Sequence, residues 1–391
     1  MNKWKVFQFI ALSLMLGMST GCSWIFGEDE EVIVEPTTPA PAEPAETAPA
    51  KPAEPAGPQV GGTTGSIERL DARLDDLISA DAPINVLAEG HKWTEGPVWI
   101  GTGGYLLYSD IPNNSIYKYV EGEGSSLWIK PSGFTGDLGR GGESGSNGLL
   151  LDPEGRLILC QHGDRRVASL DSPISSPEAK YFTIASKYDG KRLNSPNDAA
   201  FHPVTGDLYF TDPPYGLQGG MNDPDKQLDF QGVYRIDKSS GELSLLTDEL
   251  SRPNGIGFSP DGKTLYVANS DPNKAIWMAY DVNDDGSIAN GRVFFDATKW
   301  VGERPGLPDG LKVDTNGNIF ATGPGGVLIF AADGTHLGSV LTGQKTANCG
   351  FGGDGSTLYL TAHYFLMKVE TKATGLSFAS YLTGGQSKVG R

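Results

Sequence analysis

Six polar residues recur at equivalent positions along the chain, and their side-chain types suit the binding of a hard cation. Each one precedes a strand-like run, a turn that contains glycine, and a second strand-like run. We call them the anchor residues: Glu95, Asn147, Asn197, Asn254, Asp309 and Asn348. Ca²⁺ takes about six to eight oxygen ligands from carboxylates, amide carbonyls and water. The set contains neither cysteine nor histidine, which disfavours zinc or copper.

A single residue of this kind has a simpler explanation. Asn-Gly and Asp-Gly pairs form turns, and an Asn side chain can bond to backbone groups where a strand begins. This structural role stays open for each anchor residue taken alone. Six of them in one register would meet if their strands began at the same end of a shared channel. The sequence therefore predicts a cation site at that end.

The repeated unit predicts the architecture. Paired strand-like runs around a tight glycine turn are β-hairpins, and here they recur roughly every 40 to 57 residues. That spacing leaves room for two more strands in each unit, such as the run "GVYRIDKSSGELSLL". Six four-stranded units that close into a ring form a six-bladed β-propeller, so the predicted fold class is all-β.

The N-terminal side of the domain is expected to help close the ring. The sixth unit is short of strands, and residues 83–90 ("PINVLAEG") are predicted to complete it. Residues 66–80 ("SIERLDARLDDLISA") have the spacing of a short amphipathic helix. The propeller is predicted to span residues 66–391.

The N-terminus has the layout of a bacterial export signal. Lysines precede an apolar run at residues 6–18, which is too short for a stable membrane span, and Cys22 follows small residues. Residues 1–21 are therefore predicted to be a lipoprotein signal peptide, with Cys22 lipidated. Residues 22–65 are rich in Pro, Ala and Glu and are predicted to be a disordered linker. The expected location is the bacterial cell envelope, on the periplasmic side of the outer membrane, and a secreted soluble protein is the alternative.

Composition limits the partners and the covalent cross-links. A formal net charge of −17 disfavours nucleic acid as a partner. The cysteines are Cys22, Cys160 and Cys349. With Cys22 assigned to the lipid, a Cys160–Cys349 disulfide stays open, but the fold is expected to depend on its core. The sequence leaves the oligomeric state open.

Several motifs occur in the order found in one known family. They are "EGPVW", "KRLNSPND", "FTDPPYGL", "LDFQGVYRID", "RPNGIGFSPD" and "GLPDGLKVD". From about residue 85 to residue 368, the chain resembles the gluconolactonase branch of the SMP-30/gluconolactonase/LRE-like family. The resemblance implies a six-bladed propeller with a divalent metal in its channel, usually Ca²⁺, with Zn²⁺, Mn²⁺ or Mg²⁺ as alternatives. It places the metal ligands at Glu95, Asn197, Asn254 and Asp309, with Asn147 and Asn348 lining the mouth.

The chain departs from the family pattern at two places. The segment "CQHGDRRV" has Gln161 and Asp164 where the family pattern reads "CEHGNRRV". Ser195 stands where animal members carry an arginine two residues before the channel Asn. Sugar recognition is therefore not carried over from the animal branch.

The resemblance implies hydrolysis of a sugar lactone, a small-molecule substrate. The metal would polarise the lactone carbonyl, and because calcium acidifies water only weakly, a general base is expected. Asp309 is the first candidate for that base and Glu95 the second. The residues expected to contact substrate are Asn147, Ser195, Tyr215, His162, His363, Asn348 and Arg166. For His162 and His363 a structural role is the alternative.

Two other functions remain open at this point. An oxygen-lined calcium site could also hydrolyse organophosphate esters, or the domain could be a non-catalytic, membrane-tethered binding propeller. Two further motifs predict loops only. The segment "DVNDDGSI" lacks the twelfth-position Glu and the flanking helices of an EF-hand, and "GRGGESG" lacks the Lys-Ser/Thr of a phosphate-binding loop.

Overall fold

The computed structural model describes residues 57–137 and 142–376. The predicted signal peptide, the lipidation site at Cys22 and most of the predicted linker lie outside the described residues. Within them, the fold is the predicted all-β, six-bladed propeller. No helix in this part of the chain is long and apolar enough to cross a membrane.

Blades 1 to 4 are four-stranded antiparallel sheets whose strands follow chain order from the channel outward. Blade 1 contains Thr94–Ile100, Tyr105–Asp110, Ser115–Val120 and Gly124–Ile129. Blade 2 contains Ser146–Leu151, Leu157–Gln161, Arg166–Leu170 and Tyr181–Ala185. Blade 3 contains Ala199–Phe201, Leu208–Asp212, Gly232–Ile236 and Leu243–Thr247. Blade 4 contains Pro253–Phe258, Thr264–Asp271, Lys274–Val282 and Ile288–Asp296.

Blades 5 and 6 each include strands from the N-terminal side of the domain. Blade 5 contains Leu311–Val313, Ile319–Gly323, Gly326–Phe330, His336–Leu341 and Ser66–Arg69. Blade 6 contains Thr346–Gly352, Thr357–Ala362, Phe365–Glu370, Ile84–Ala88 and Thr63–Thr64. The other described elements are a small hairpin, Lys187–Tyr188 with Lys191–Arg192, and the 3₁₀ helices Ala72–Asp76, Gly220–Asn222 and Thr298–Trp300.

The ring is closed by N-terminal residues, as predicted for residues 83–90. Ile84–Ala88 pairs antiparallel with Phe365–Glu370, and Thr63–Thr64 adds a further strand outside it. Ile84 and Val86 are almost fully buried, so closure also completes the apolar core of blade 6. The pairing of Thr63–Thr64 means that the propeller begins before residue 66 and includes the end of the segment predicted as linker.

The predicted helix over residues 66–80 is wrong. Ser66–Arg69 is an edge strand that pairs with His336–Leu341, and only Ala72–Asp76 is helical, as a short 3₁₀ helix. Pairing with the open edge of blade 5 satisfies backbone groups of the strand, and this outweighs a weak intrinsic helix preference. Leu74 still packs into the core, which accounts for the apolar spacing in the sequence.

Packing between neighbouring blades forms the core. Between blades 3 and 4, for example, the rings of Tyr209 and Phe258 meet edge to face with centroids 4.9 Å apart. Cys160 in blade 2 and Cys349 in blade 6 are buried free thiols, so the disulfide left open by the sequence is absent. The described propeller is therefore held by packing and hydrogen bonds, as expected from the scarcity of cysteine.

His202 joins blades 3 and 4 as a neutral side chain. Its Nδ1 accepts hydrogen bonds from the backbone N–H groups of Val204 at 3.2 Å and Thr205 at 3.1 Å. Its Nε2 therefore carries the hydrogen and donates to the carbonyl oxygen of Gly262 at 3.1 Å. Burial lowers the pKa of His202 from its usual 6.5. A lowered histidine pKa contributes stability that is present above the unfolded-state pKa and lost as pH falls towards the folded-state pKa.

We expect His202→Asn to flatten the pH dependence of stability below pH 7. Asn keeps an acceptor near the position of Nδ1 but does not titrate, whereas the wild-type protein loses stability as His202 takes up a proton. At pH 8 the variant should be less stable by about 1–2 kcal/mol, because the bond to Gly262 is lost. Thermal denaturation of both proteins at a series of pH values measures this. Parallel curves of Tm against pH would contradict the assignment.

Candidate metal and active site

The structure brings five of the six anchor residues to one cavity of about 630 Å³, where the inner strands begin. The five are Glu95, Asn147, Asn197, Asn254 and Asp309. They come from blades 1 to 5, either on the inner strand or directly before it. Asn348, on the inner strand of blade 6, does not line this cavity.

Close packing of neighbouring inner strands sets the anchor residues side by side. Gly96 follows Glu95 with φ at +49°, and a Cβ there would lie 2.2 Å from the carbonyl oxygen of Asn147. A Cβ on Gly255 would lie 2.1 Å from the carbonyl oxygen of Asp309. No side chain tolerates such contacts, so glycine is required after these anchors. These glycines serve strand packing at the channel, whereas the sequence suggested a turn.

Buried hydroxyl groups on second strands fix the anchor backbone of the next blade. Ser109 Oγ donates to the carbonyl oxygen of Asn147 at 2.9 Å. Thr211 Oγ1 donates in the same way to the carbonyl oxygen of Asn254 at 2.8 Å. Blades 1 and 3 therefore each help to position the anchor residue of the next blade.

The two carboxylates among the anchor residues, Glu95 and Asp309, lie where ionisation is disfavoured. Burial raises the pKa of Glu95, and repulsion from Asp198 adds to the shift. The N–H of Gly96 donates to Glu95 Oε2 at 2.8 Å and opposes the shift in part. Burial also raises the pKa of Asp309, reinforced by the charges of Glu95 and Glu143. A bound cation would compensate both carboxylates in their ionised forms.

Three buried oxygens of the cavity have no hydrogen-bond partner among the described residues. They are Asn147 Oδ1, Asn197 Oδ1 and Asp309 Oδ1. Buried acceptors are rarely left unpaired, and an all-oxygen set of amides and carboxylates fits a hard cation such as Ca²⁺. Within residues 57–137 and 142–376, no group of three or more His, Cys, Asp or Glu side chains could hold a metal. A cation here would therefore depend on amide oxygens as well as carboxylates.

The Asn348 side chain holds the candidate ligand Glu95 through a hydrogen-bond network. Its Nδ2 donates to Glu95 Oε2 at 3.0 Å and to Asp198 Oδ2 at 3.4 Å. Lys312 Nζ donates to Asn348 Oδ1 at 3.3 Å. The sixth anchor residue was expected to line the mouth of the channel. It instead donates a hydrogen bond to a candidate ligand and does not line the cavity. Asp198 and Lys312 were not predicted from the sequence, although a lysine between apolar residues of a predicted inner strand was an available signal.

Two of the residues expected to contact substrate line the cavity, namely Asn147 and Tyr215. Burial raises the pKa of Tyr215, so its hydroxyl stays protonated at neutral pH. His162 is fully buried and does not line the cavity. His363 does not line it either, but its ring packs against Trp93, a lining residue, with centroids 5.0 Å apart.

Ser195 and Arg166, two of the residues expected to contact substrate, make contacts within the protein. Ser195 Oγ donates to the carbonyl oxygen of Pro213 at 2.5 Å and accepts from the N–H of Gly216 at 2.9 Å. Arg166 Nη2 pairs with Asp164 Oδ2 at 2.9 Å. Neither side chain lines the cavity.

Several cavity residues were not found by sequence reasoning. Residues 301–307, Glu143, Arg252 and Lys345 all contribute to the wall. Neither Arg252 nor Lys345 has an ion pair within the described ranges, so their charges can act on a ligand. A cation two residues before Asn254, in "RPNG", was a usable signal for Arg252. Glu143 lies in "GRGGESG", where no local pattern indicates what the side chain faces.

The fold and the site together define a β-propeller with a candidate cation-binding mouth. Residues 93–364 match the model of the SMP-30/Gluconolactonase/LRE-like region. The chain therefore belongs to the SMP-30/gluconolactonase/LRE-like family.

Three similar proteins share most of the folded part of the chain. The gluconolactonase of Zymomonas mobilis is 39% identical over 324 residues, which cover 81% of this chain and 88% of that protein. The pentonolactonase XacC of Haloferax volcanii is 27% identical over 275 residues, which cover 68% of this chain and 80% of that protein. The solved structure of a gluconolactonase from Xanthomonas campestris matches with a TM-score of 0.68 at 28% identity, over 82% of this chain and 99% of that chain.

We expect Ca²⁺ to raise the Tm of chelator-treated protein, because a ligand that binds only the folded state stabilises it by about 2.7 kcal/mol at 100 times its Kd. Asn197→Ala should lose most of this gain, since Asn197 Oδ1 would be a ligand. The metal-free variant should remain folded, because Asn197 Oδ1 has no partner to lose and Nδ2 loses only its long contact of 3.4 Å with His162 Nε2. Asn222→Ala, at an exposed Asn, is the control. An undiminished calcium response in Asn197→Ala would contradict the assignment.

Proposed function

We propose that this protein is a calcium-dependent hydrolase of sugar lactones. Membership of the SMP-30/gluconolactonase/LRE-like family and 39% identity to a gluconolactonase support lactone hydrolysis and a small-molecule substrate. The calcium dependence rests on one observation. The oxygens of Asn147, Asn197 and Asp309 are buried at a single cavity without hydrogen-bond donors among the described residues.

The chain offers four residues to hold the cation. They are Glu95, Asn197, Asn254 and Asp309. When bound there, Ca²⁺ would supply Lewis-acid polarisation of the lactone carbonyl. Zn²⁺, Mn²⁺ and Mg²⁺ are the alternative cations, and the oxygen-only donor set makes Ca²⁺ the first choice.

Asp309 is better placed than Glu95 to accept a proton from the attacking water. Asp309 Oδ1 has no partner among the described residues, and the neighbouring Asn254 side chain acts against the rise in the pKa of the Asp309 carboxyl group. Glu95 Oε2 already accepts from the N–H of Gly96 and from the Asn348 amide. Water attack on the carbonyl opens the ring to an alcohol and a carboxylate, and a positioned base contributes about 10²–10⁴-fold to such a step.

The cavity has the size and the groups to hold a sugar ring. Small-molecule sites have volumes of about 300–1,000 Å³, and this one is about 630 Å³. The Tyr215 hydroxyl and the Asn147 amide can hydrogen-bond to sugar hydroxyl groups. Arg252 and Lys345 add positive charge, which favours the carboxylate that ring opening produces.

We further propose that the enzyme is a lipoprotein of the bacterial cell envelope, attached through Cys22. This proposal rests only on the order of lysines, apolar run, small residues and cysteine in the first 22 residues, which lie outside the described part of the chain. The net charge of −17 continues to disfavour a nucleic acid partner.

We expect the protein to hydrolyse glucono-1,5-lactone or another sugar lactone in a panel supplemented with Ca²⁺. A chelator should abolish turnover, and added Ca²⁺ should restore it, as acid release followed in a pH-stat will show. The panel includes an organophosphate triester to test the alternative function that the sequence left open. The relatives described above give that alternative no support. Turnover of the triester alone would replace the lactonase assignment, and no turnover at all would favour the binding propeller.

We expect Asp309→Asn to lower kcat for the lactone by about 10²–10⁴-fold, the contribution of a general base. Asn keeps the shape and one ligand oxygen, so the rise in Tm with Ca²⁺ should persist. Asp284→Asn, at an exposed Asp with no hydrogen bond among the described residues, is the matched control and should be unchanged. A variant that binds Ca²⁺ and retains its kcat would exclude Asp309 as the base.

A further inference from the structure

Asn197 presents the two ends of its amide to different surroundings. Asn197 is 1% exposed, and its Oδ1 has no hydrogen-bond partner among the described residues. Its Nδ2 lies 3.4 Å from His162 Nε2. An amide is almost symmetrical in shape, so a rotation by 180° would present the NH₂ group to the cavity. The hydrogen bond to His162 therefore decides which end a cation would meet.

His162 can accept from Asn197 only if its Nε2 carries no hydrogen. The neutral ring then holds its hydrogen on Nδ1, which needs an acceptor. Glu143 Oε2 lies 3.2 Å from that Nδ1. The distance suits a hydrogen bond but the two atoms are not aligned as one, and the Glu143 side chain is 37% exposed. Glu143 is thus the acceptor within reach that can select the ring form Asn197 requires.

The backbone holds Glu143 and His162 near each other. The N–H of His162 donates to the carbonyl oxygen of Gly145, two residues after Glu143, at 3.1 Å. The loop that carries the carboxylate is therefore tied to the segment that carries the ring.

We propose that Glu143 and His162 are positioning residues that hold Asn197 with Oδ1 towards the cation. Glu143 accepts from His162 Nδ1, His162 Nε2 accepts from Asn197 Nδ2, and Asn197 Oδ1 is left for the metal. The inference rests on the proposed cation and adds residues that control one of its ligands. Partners of this second layer typically change metal affinity by about 10- to 100-fold when removed.

Glu143 could instead act directly, since its carboxylate lines the cavity and its charge raises the pKa of Asp309. A carboxylate near the cavity attracts a cation without any relay through His162. The two roles differ in their dependence on residue 162. If Glu143 attracts the cation directly, its removal weakens binding whatever side chain stands at position 162. If Glu143 acts through positioning, its removal has little effect once residue 162 can accept from Asn197 without Glu143.

The test is a double-mutant cycle on Ca²⁺ affinity, measured by isothermal titration calorimetry. Glu143→Ala should weaken Ca²⁺ binding by about 10- to 100-fold. His162→Gln should bind within a few-fold of wild type, because the Gln carbonyl oxygen can accept from Asn197 without help. In the His162→Gln background, Glu143→Ala should have little further effect. Glu143→Gln, which keeps an acceptor but loses the charge, should retain most of the affinity.

Two controls keep the result interpretable. Glu123→Ala removes an exposed carboxylate with no side-chain partner among the described residues and should leave the affinity unchanged. Thermal denaturation in chelator shows that each variant is folded. Equal losses from Glu143→Ala in both backgrounds, or a Glu143→Gln variant as weak as Glu143→Ala, would overturn the positioning role and leave the proposed lactonase intact. Wild-type protein that binds no Ca²⁺ would overturn both the positioning role and the calcium dependence of the proposed lactonase.

Discussion

The inner strands of this propeller touch backbone to backbone where they begin, and the site depends on that contact. At Gly96 and Gly255 the neighbouring inner strand lies so close that no Cβ fits between them. A larger residue would push adjacent blades apart at the channel, where every blade contributes one strand. Because glycine stands there, anchor side chains from five blades reach a single cavity. Residues separated by some fifty positions in sequence thus come together at one cavity.

This convergence brings several carboxylates close together, and the need to balance their negative charge favours a positively charged ligand. Glu95 and Asp198 are buried and Asp309 is partly buried, and desolvation raises the pKa of each carboxyl group. The charge of Lys312 acts in the opposite direction on Glu95 and Asp198. With all three carboxylates ionised and one lysine charged, the cluster has a formal charge of −2 (−3 + 1). Either protons or a divalent cation can balance that charge, and the unpaired oxygens nearby favour the cation.

Sequence alone predicts the parts of the site that repeat and misses the parts that do not. The anchor register recurs in every blade, so Glu95 and Asp309 could be placed together from their positions in the repeat. Ring closure by residues 83–90 was also readable, because the last unit lacked strands. Register does not give orientation, however, and Asn348 faces the buried Glu95 and not the cavity.

Other features could not be read from local patterns, because contacts distant in sequence decide them. The strand Ser66–Arg69 exists because blade 5 offers an open edge, and nothing in its own residues indicates that edge. Glu143 is one acid in a glycine-rich loop, and its proposed role depends on His162, which follows the second strand of the same blade. Ser195 occupies a family position, yet its hydroxyl is used within a loop.

The candidate site also lies at the boundary between blade 1 and blade 6, where the ring closes. Next to Glu95, Thr94 Oγ1 donates to the carbonyl oxygens of His363 and Phe365 in blade 6. The Asn348 amide crosses the same boundary to reach Glu95 itself. A cation bound by residues of blades 1, 3, 4 and 5 would hold those blades together, while the contacts between blades 1 and 6 hold Glu95 in place for the cation. Because ligand binding and folding are linked, closure of the ring and occupation of the site should stabilise each other.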